Sequence, residues 1–138
     1  MDWKLELIVV PVSDVDRAKT FYIETAGFNL HVDHNARDDF RVVQLTPPGS
    51  ACSIAIMRNA ERAGSVQGLH LIVSDVDAAR AELAGRGADV SEPFHFEEGK
   101  QVPGPDPERS DYNSFLAFSD PDGNGWMVQE VGYTRPGA

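Results

Sequence analysis

The sequence predicts an α+β fold made of two tandem βαβββ modules. Three observations carry that prediction. Val12-Ser13-Asp14-Val15-Asp16 recurs 61 residues later as Val73-Ser74-Asp75-Val76-Asp77, with Ala18 and Ala79 in the same register. Each copy follows an apolar stretch, Leu5 to Val10 and Leu69 to Val73, and each opens a helical pattern. Each helix is then followed by three short strand-like segments. Self-similarity in a shared context of this kind marks a repeated structural unit.

The elements follow in order. Leu7-Ile8-Val9-Val10 is β-branched and apolar, and reads as a buried strand. Ser13 with Asp16 resembles a capping box with a shortened acid, and Asp14 competes with Ser13 as the N-cap. Ala18, Phe21, Tyr22 and Ala26 then share one helical face, and Gly27 ends the helix. Strands are expected near Phe28–Asn35, Phe40–Leu45 and Cys52–Met57, with a turn at Pro47-Pro48-Gly49. In the second half Val76, Ala79 and Leu83 repeat the stripe, and Gly85 and Gly87 close it. Strands are expected near Asp89–Phe96, Ser114–Ser119 and Trp126–Gly132, with dense turn chemistry at Asp120–Gly125. The modules are expected at 1–58 and 68–132, joined by 59–67 and followed by a tail at 133–138. No Pro/Gly linker separates them, so the whole chain, 1–138, reads as one domain.

Composition narrows the function. With 138 residues the chain suffices for one core, and 41% hydrophobic against 25% charged residues is globular. A formal charge of −10 opposes phosphate backbones and acidic membranes, so neither nucleic acid nor membrane is an expected partner. No apolar run approaches the roughly 20 residues of a bilayer span. The start, Met1 to Glu6, has no secretory pattern, and the single cysteine, Cys52, excludes an internal disulfide; a reduced, cytoplasmic setting is expected. Cys52 itself reads as a small buried hydrophobe. His31 and His34, three apart on an expected strand, fall on opposite faces and with Asp33 and Asp38 look like an exposed charged edge. One segment breaks the symmetry. Residues 97–113 carry Pro103, Pro105 and Pro107 and little apolar periodicity, as a lid or pocket rim would.

These residues bring a family into view. Pro11 to Tyr22, Gly27-Phe28, the second Val73–Asp77 motif and Asp120-Pro121-Asp122-Gly123-Asn124, in this order and spacing, resemble the vicinal oxygen chelate superfamily. It groups glyoxalase I, extradiol dioxygenases, fosfomycin-resistance enzymes and bleomycin-resistance proteins. The resemblance covers nearly the whole chain. It implies paired βαβββ modules whose mixed sheets curl into a cup around a ligand or metal, in a homodimer. Metalloenzymes of the superfamily place ligands at four strand positions. Carried onto this sequence, those positions hold Leu7, Ala55, Gly68 and Met127. None supplies an imidazole or a carboxylate, so no metal and no cofactor are expected.

The same register points to candidate ligand contacts. If position 68 faces the cup, so does His70, as donor, acceptor or general base. Met127 and Gln129 share the inward face of the last strand. Phe94, Phe96, Tyr112 and Phe115, with Gln101, gather near the expected lid and offer aromatic walls. Two readings follow. The first is a metal-free protein that binds a small hydrophobic or aromatic organic molecule for sequestration, resistance or sensing. The second is a glyoxalase- or dioxygenase-like enzyme, an isomerase or lyase, using His70 or a relocated metal site.

Overall fold

The computed structural model describes residues 1–37 and 40–136. Asp38, read above as part of a charged edge, and the last two residues of the 133–138 tail lie outside the described residues. The chain forms two compact units: residues 1–66 with 120–124, and residues 67–119 with those from 125 on. One division falls at 66/67. The late turn Asp120–Asn124 belongs to the first unit.

In the first unit the strands are β1 (Leu7–Val12), β2 (Asn29–Arg37), β3 (Phe40–Thr46) and β4 (Ser53–Arg58), in sheet order β1-β4-β3-β2. β1 runs parallel to β4, and the other pairs are antiparallel. Helix α1 (Val15–Thr20) passes into a π-helical turn at Phe21–Thr25. Gly27 ends it at φ 81°, and Phe28 N–H reaches back to the Tyr22 carbonyl at 2.8 Å, a left-handed closure that favours glycine. Asp14, not Ser13, is the N-cap, and its carboxylate accepts from Arg17 N–H at 3.0 Å. Val10, Val12, Ala18, Tyr22, Val43, Leu45 and Ile56 fill the core between helix and sheet. β1 is buried only in its second half, Val10–Val12. Ile8 and Val9 are exposed, which corrects the reading of the whole run as buried. β2 is one of the two edge strands and exposed throughout, and a bulge between Leu30 and Val32 interrupts its alternation at His31.

The turn fixes its own backbone and the first unit with one set of polar groups. The Asp120 carboxylate accepts from the N–H groups of Asp122 and Asn124, from Asn124 Nδ2 and from the Tyr22 hydroxyl at 2.8–3.0 Å. Asn124 Nδ2 also donates to the Pro11 carbonyl at 2.9 Å. Asp120 and Asn124 are both buried, and a buried carboxylate and amide are tolerated only when satisfied in this way. The sequence identified a turn here; the burial of its side chains was not legible.

In the second unit the strands are β5 (Leu69–Val73), β6 (Phe94–Glu97), β7 (Lys100–Pro103), β8 (Phe115–Ser119) and β9 (Gly125–Glu130), ordered β5-β9-β8-β6-β7. Helix α2 (Val76–Gly85) is capped by Asp75, which accepts from the N–H groups of Asp77 and Ala78. As in the first unit, the strand before the helix is parallel to the last strand, so the α+β repeat holds. Two details differ from expectation. The strand expected over Asp89–Phe96 begins only at Phe94, after Pro93. The segment read as an irregular lid contains β7, which pairs with β6 in a hairpin. Among the described residues no helix is long and apolar enough to cross a membrane.

Candidate functional site

Alternation along the strands of the second unit sorts its side chains into two faces. Leu69, Trp126 and Phe118 stand abreast on one face, as do Val128 and Leu116; all five are buried. On the other face His70, Met127 and Ala117 form one row across β5, β9 and β8. Ile72, Gln129 and Phe115 form the next, which Phe94 continues on β6. This second face is the more open one: His70 and Ile72 are exposed, and Met127, Gln129 and Ala117 are half-buried.

A cavity of about 550 Å³ lies at the β6–β7 side of this face. Phe94, Phe96, Gln101, Pro103, Ala117 and Met127 line it, and Ser91–Pro93 closes one side. Its aromatic wall is braced from behind. Phe115 stacks on Phe94 with ring centroids 5.6 Å apart, and meets Phe96 edge-on at 5.5 Å. Such pairs add about 0.5–1.5 kcal/mol beyond their area and hold the rings in place. The polar groups at the rim are the Gln101 amide and the Glu92 carboxylate, which pairs with Arg80 at 3.0 Å.

The expected site residues divide accordingly. Phe94, Phe96, Met127 and Gln101 line the cavity, and Phe115 supports it. Gln129 spends its amide on the Tyr112 carbonyl at 3.1 Å. Tyr112 is exposed, at φ 68°, and is not among the lining residues. His70 lies beside Met127 on the same face but outside the cavity. Its Nδ1 lies 2.7 Å from the Gly68 carbonyl, to which it donates, so that in the neutral ring Nε2 is the acceptor. Ser91, Glu92, Pro93, Pro103 and Ala117 were missed. Ala117 was recoverable, because it sits two residues from Phe115 on one strand. Pro103 and residues 91–93 depend on the hairpin and carried no local signal.

The segment after β7 is fastened at several points. The Asp106 carboxylate accepts from the N–H groups of Glu108 and Ser110, and Ser114 Oγ accepts from Asp106 N–H. Burial opposes ionisation of Asp106, but these hydrogen bonds outweigh it and lower its pKa. Arg109 makes a two-pronged ion pair with the buried Glu130, at 2.9 and 2.6 Å, and lies 3.6 Å from the centroid of the Tyr133 ring. Asn113 pairs through its side-chain amide with both backbone groups of Phe96, extending the link of β6 to β8. The segment has its own polar core.

A family model, glyoxalase/bleomycin resistance protein/dioxygenase superfamily, matches residues 4–128, and the chain belongs to that superfamily. Among solved structures it is similar to TnmS3, an antibiotic binding protein from Streptomyces sp. CB03234: 34% identity, TM-score 0.72, with 94% of this chain and 96% of that one covered. It is also similar to a member of the superfamily from Sphaerobacter thermophilus DSM 20745, at 26% identity and TM-score 0.72 over 94% and 98% of the two chains. A curated relative is YetH of Bacillus subtilis (strain 168), 25% identical over 126 residues, which cover 89% of this chain and 94% of that protein.

The metal that enzymes of such a fold hold can be tested on the donor set. In the first unit the positions carried over are Leu7, half-buried, and Ala55, buried. In the second, Gly68 has no side chain and Met127 offers only a thioether. These residues do not fit a cation, which needs oxygen, imidazole or thiolate donors. Among the described residues no group of three or more His, Cys, Asp and Glu side chains is placed to hold one elsewhere.

Proposed function

We propose that the protein binds a small hydrophobic or aromatic organic molecule in the cavity of the second unit, without a metal, for sequestration, resistance or sensing. The observation that carries this reading is the cavity itself: a braced pair of phenylalanines faces an adaptable thioether, with an amide and a carboxylate at the rim. Flat apolar molecules are held by walls of this kind and oriented by a few polar groups. Its likeness to an antibiotic binding protein over almost the whole chain supports the same reading. A homodimer in a reduced cytoplasm completes the proposal. Val9, Ile72, Trp3 and Leu5 are exposed apolar side chains that a second copy would cover.

Titration with Nile red, a neutral planar aromatic dye, tests the cavity. Saturable binding of one dye per chain is expected, weakened about tenfold or more by Phe96→Ala and by Met127→Ala. Absence of saturation, or binding indifferent to both changes, overturns it. Calorimetric titration with Zn, Ni, Mn and Fe tests metal independence, and stoichiometric tight binding would defeat it. Light scattering of the eluting protein tests the dimer.

One observation favours a second reading. Tautomer fixing by Gly68 gives His70 Nε2 the lone pair of a general base, on the face that carries Met127. An isomerase or lyase would lose turnover in His70→Ala while still binding its ligand. A binder would have no turnover to lose.

A further inference from the structure

The β6–β7 hairpin contributes Phe94, Phe96, Gln101 and Pro103 to the cavity, so its rigidity sets the wall. β7 is a sheet edge, and β6 is joined to β8 by a single register pair, Phe94 with Phe115, beside the two Asn113 side-chain bonds to Phe96. His95, 3% exposed, sits at the middle of β6. Its Nδ1 lies 2.6 Å from the carbonyl oxygen of Gly104, just past the end of β7, and its Nε2 lies 2.6 Å from a carboxylate oxygen of Glu97. A carbonyl and a carboxylate only accept, and neutral imidazole has one N–H to give. Only the imidazolium satisfies both contacts. The Gly104 end is itself anchored, since its N–H donates to the Pro93 carbonyl at 2.8 Å.

We propose that His95 is a positioning residue for the cavity: as imidazolium it latches the two ends of the β6–β7 hairpin, and its deprotonation loosens the wall and weakens ligand binding. This rests on the cavity being the binding site. The charged groups facing His95 are Glu97 from its own strand and Asp106 from the segment after β7; Lys100 stands opposite Glu97 in the hairpin register. The Gly104 carbonyl, then Glu97, raise the pKa of His95 above its ordinary value, against the opposing effect of burial. The sign follows. A raised folded-state pKa gives a contribution fully present below the unfolded-state value and lost as pH rises through the folded one.

Three readouts over about pH 5 to about pH 9 test the latch: the His95 ring titration by NMR, amide protection of Val102 and Gly104 corrected for intrinsic exchange, and Nile red affinity. In the native protein, protection and affinity fall together with the ring titration, affinity by about fivefold or more. Glu97→Gln keeps an acceptor but removes the charge, and moves all three midpoints to lower pH. His95→Gln gives weaker binding with no pH transition. Amide protection that stays constant while His95 deprotonates overturns the latch. So does an affinity midpoint that stays put when Glu97→Gln moves the ring titration. If dye binding is indifferent to both Phe96→Ala and Met127→Ala, the cavity reading fails on its own account, and the amide protection still decides whether His95 holds the hairpin.

Discussion

The two helix starts share five residues and are anchored by opposite means. In each unit the motif's leading valine, Val12 or Val73, stands beside the end of the parallel strand, where the first unit has Arg58 and the second has Glu130. Glu130 is fully buried. It accepts from Val76 N–H at the start of α2 at 2.8 Å and takes both prongs of Arg109. Arg58 is exposed and borders an open hollow of about 600 Å³ lined also by Ser13, Asp14, Asp16, Phe40 and Arg41. The start of α1 is held instead from the turn. The Asp122 carboxylate accepts from Ser13 N–H and Oγ and from Arg17, at 2.5–3.2 Å. A repeated motif thus fixes a local conformation while its anchoring is settled by residues far along the chain.

The largest expected effect tests that asymmetry. Glu130→Ala strands the Arg109 guanidinium and Val76 N–H, and should cost about 3–5 kcal/mol. Arg58→Ala at the equivalent place should stay within about 0.5 kcal/mol. Urea denaturation of both variants checks the pair. Equal losses would mean that the two strand ends do the same work.

Two glycines sharpen the contrast between a backbone anchor and a side-chain one. A Cβ on Gly64 would lie 2.1 Å from the Asp122 carbonyl oxygen, and Gly64 is also at φ 82°. Neither the backbone of the turn nor the left-handed conformation yields readily, so Gly64→Ala should cost about 2–4 kcal/mol. A Cβ on Gly125 would also lie 2.1 Å from its nearest atom, but that atom is the side-chain oxygen of Gln67. A flexible tip swings aside, and Gly125→Ala should cost about 1 kcal/mol or less. Thermal or urea unfolding distinguishes them.

What was legible in the sequence follows from the range of the forces involved. The repeat, the helix stripes ending at Gly27 and Gly87 and most strands were readable, because apolar periodicity and glycine chemistry are local. The cavity was half readable. Phe94 and Phe96 alternate on one strand with Phe115 nearby, but Pro103 enters only because β7 folds back on β6. The anchors were least readable. Neither Glu130 nor Arg109 carries a local signal that marks it as the other's partner. Glu130 is buried and Arg109 half-buried because each finds the other 21 residues away, and no window of sequence reports that.

The N-caps give a smaller test of the same kind. Asp75 accepts from two helix N–H groups, Asp14 from one. Asp75→Ala should therefore cost about 1–2 kcal/mol and Asp14→Ala about 0.5–1 kcal/mol, as read by denaturant midpoints at constant slope.

The smallest effect concerns acid. On the edge strand of the first unit, Arg41 and then Lys19 hold the Asp33 carboxyl well below the usual carboxylate range, through hydrogen bonds at 2.7–3.0 Å. Burial pushes the other way but loses. A depressed folded-state pKa contributes stability that is present above the unfolded value near 3.8 and lost as pH falls through the folded one. The latch at His95 has the opposite sense and fails as pH rises. Because the Asp33 group is partly solvated, Asp33→Asn should cost only about 0.5–1 kcal/mol at neutral pH, and less in about 1 M salt, where the screening length shrinks to about 3 Å. The variant should also flatten the acid limb of the stability curve while leaving the alkaline limb unchanged. A change on the alkaline side would overturn the assignment of this effect to the Asp33 carboxylate alone.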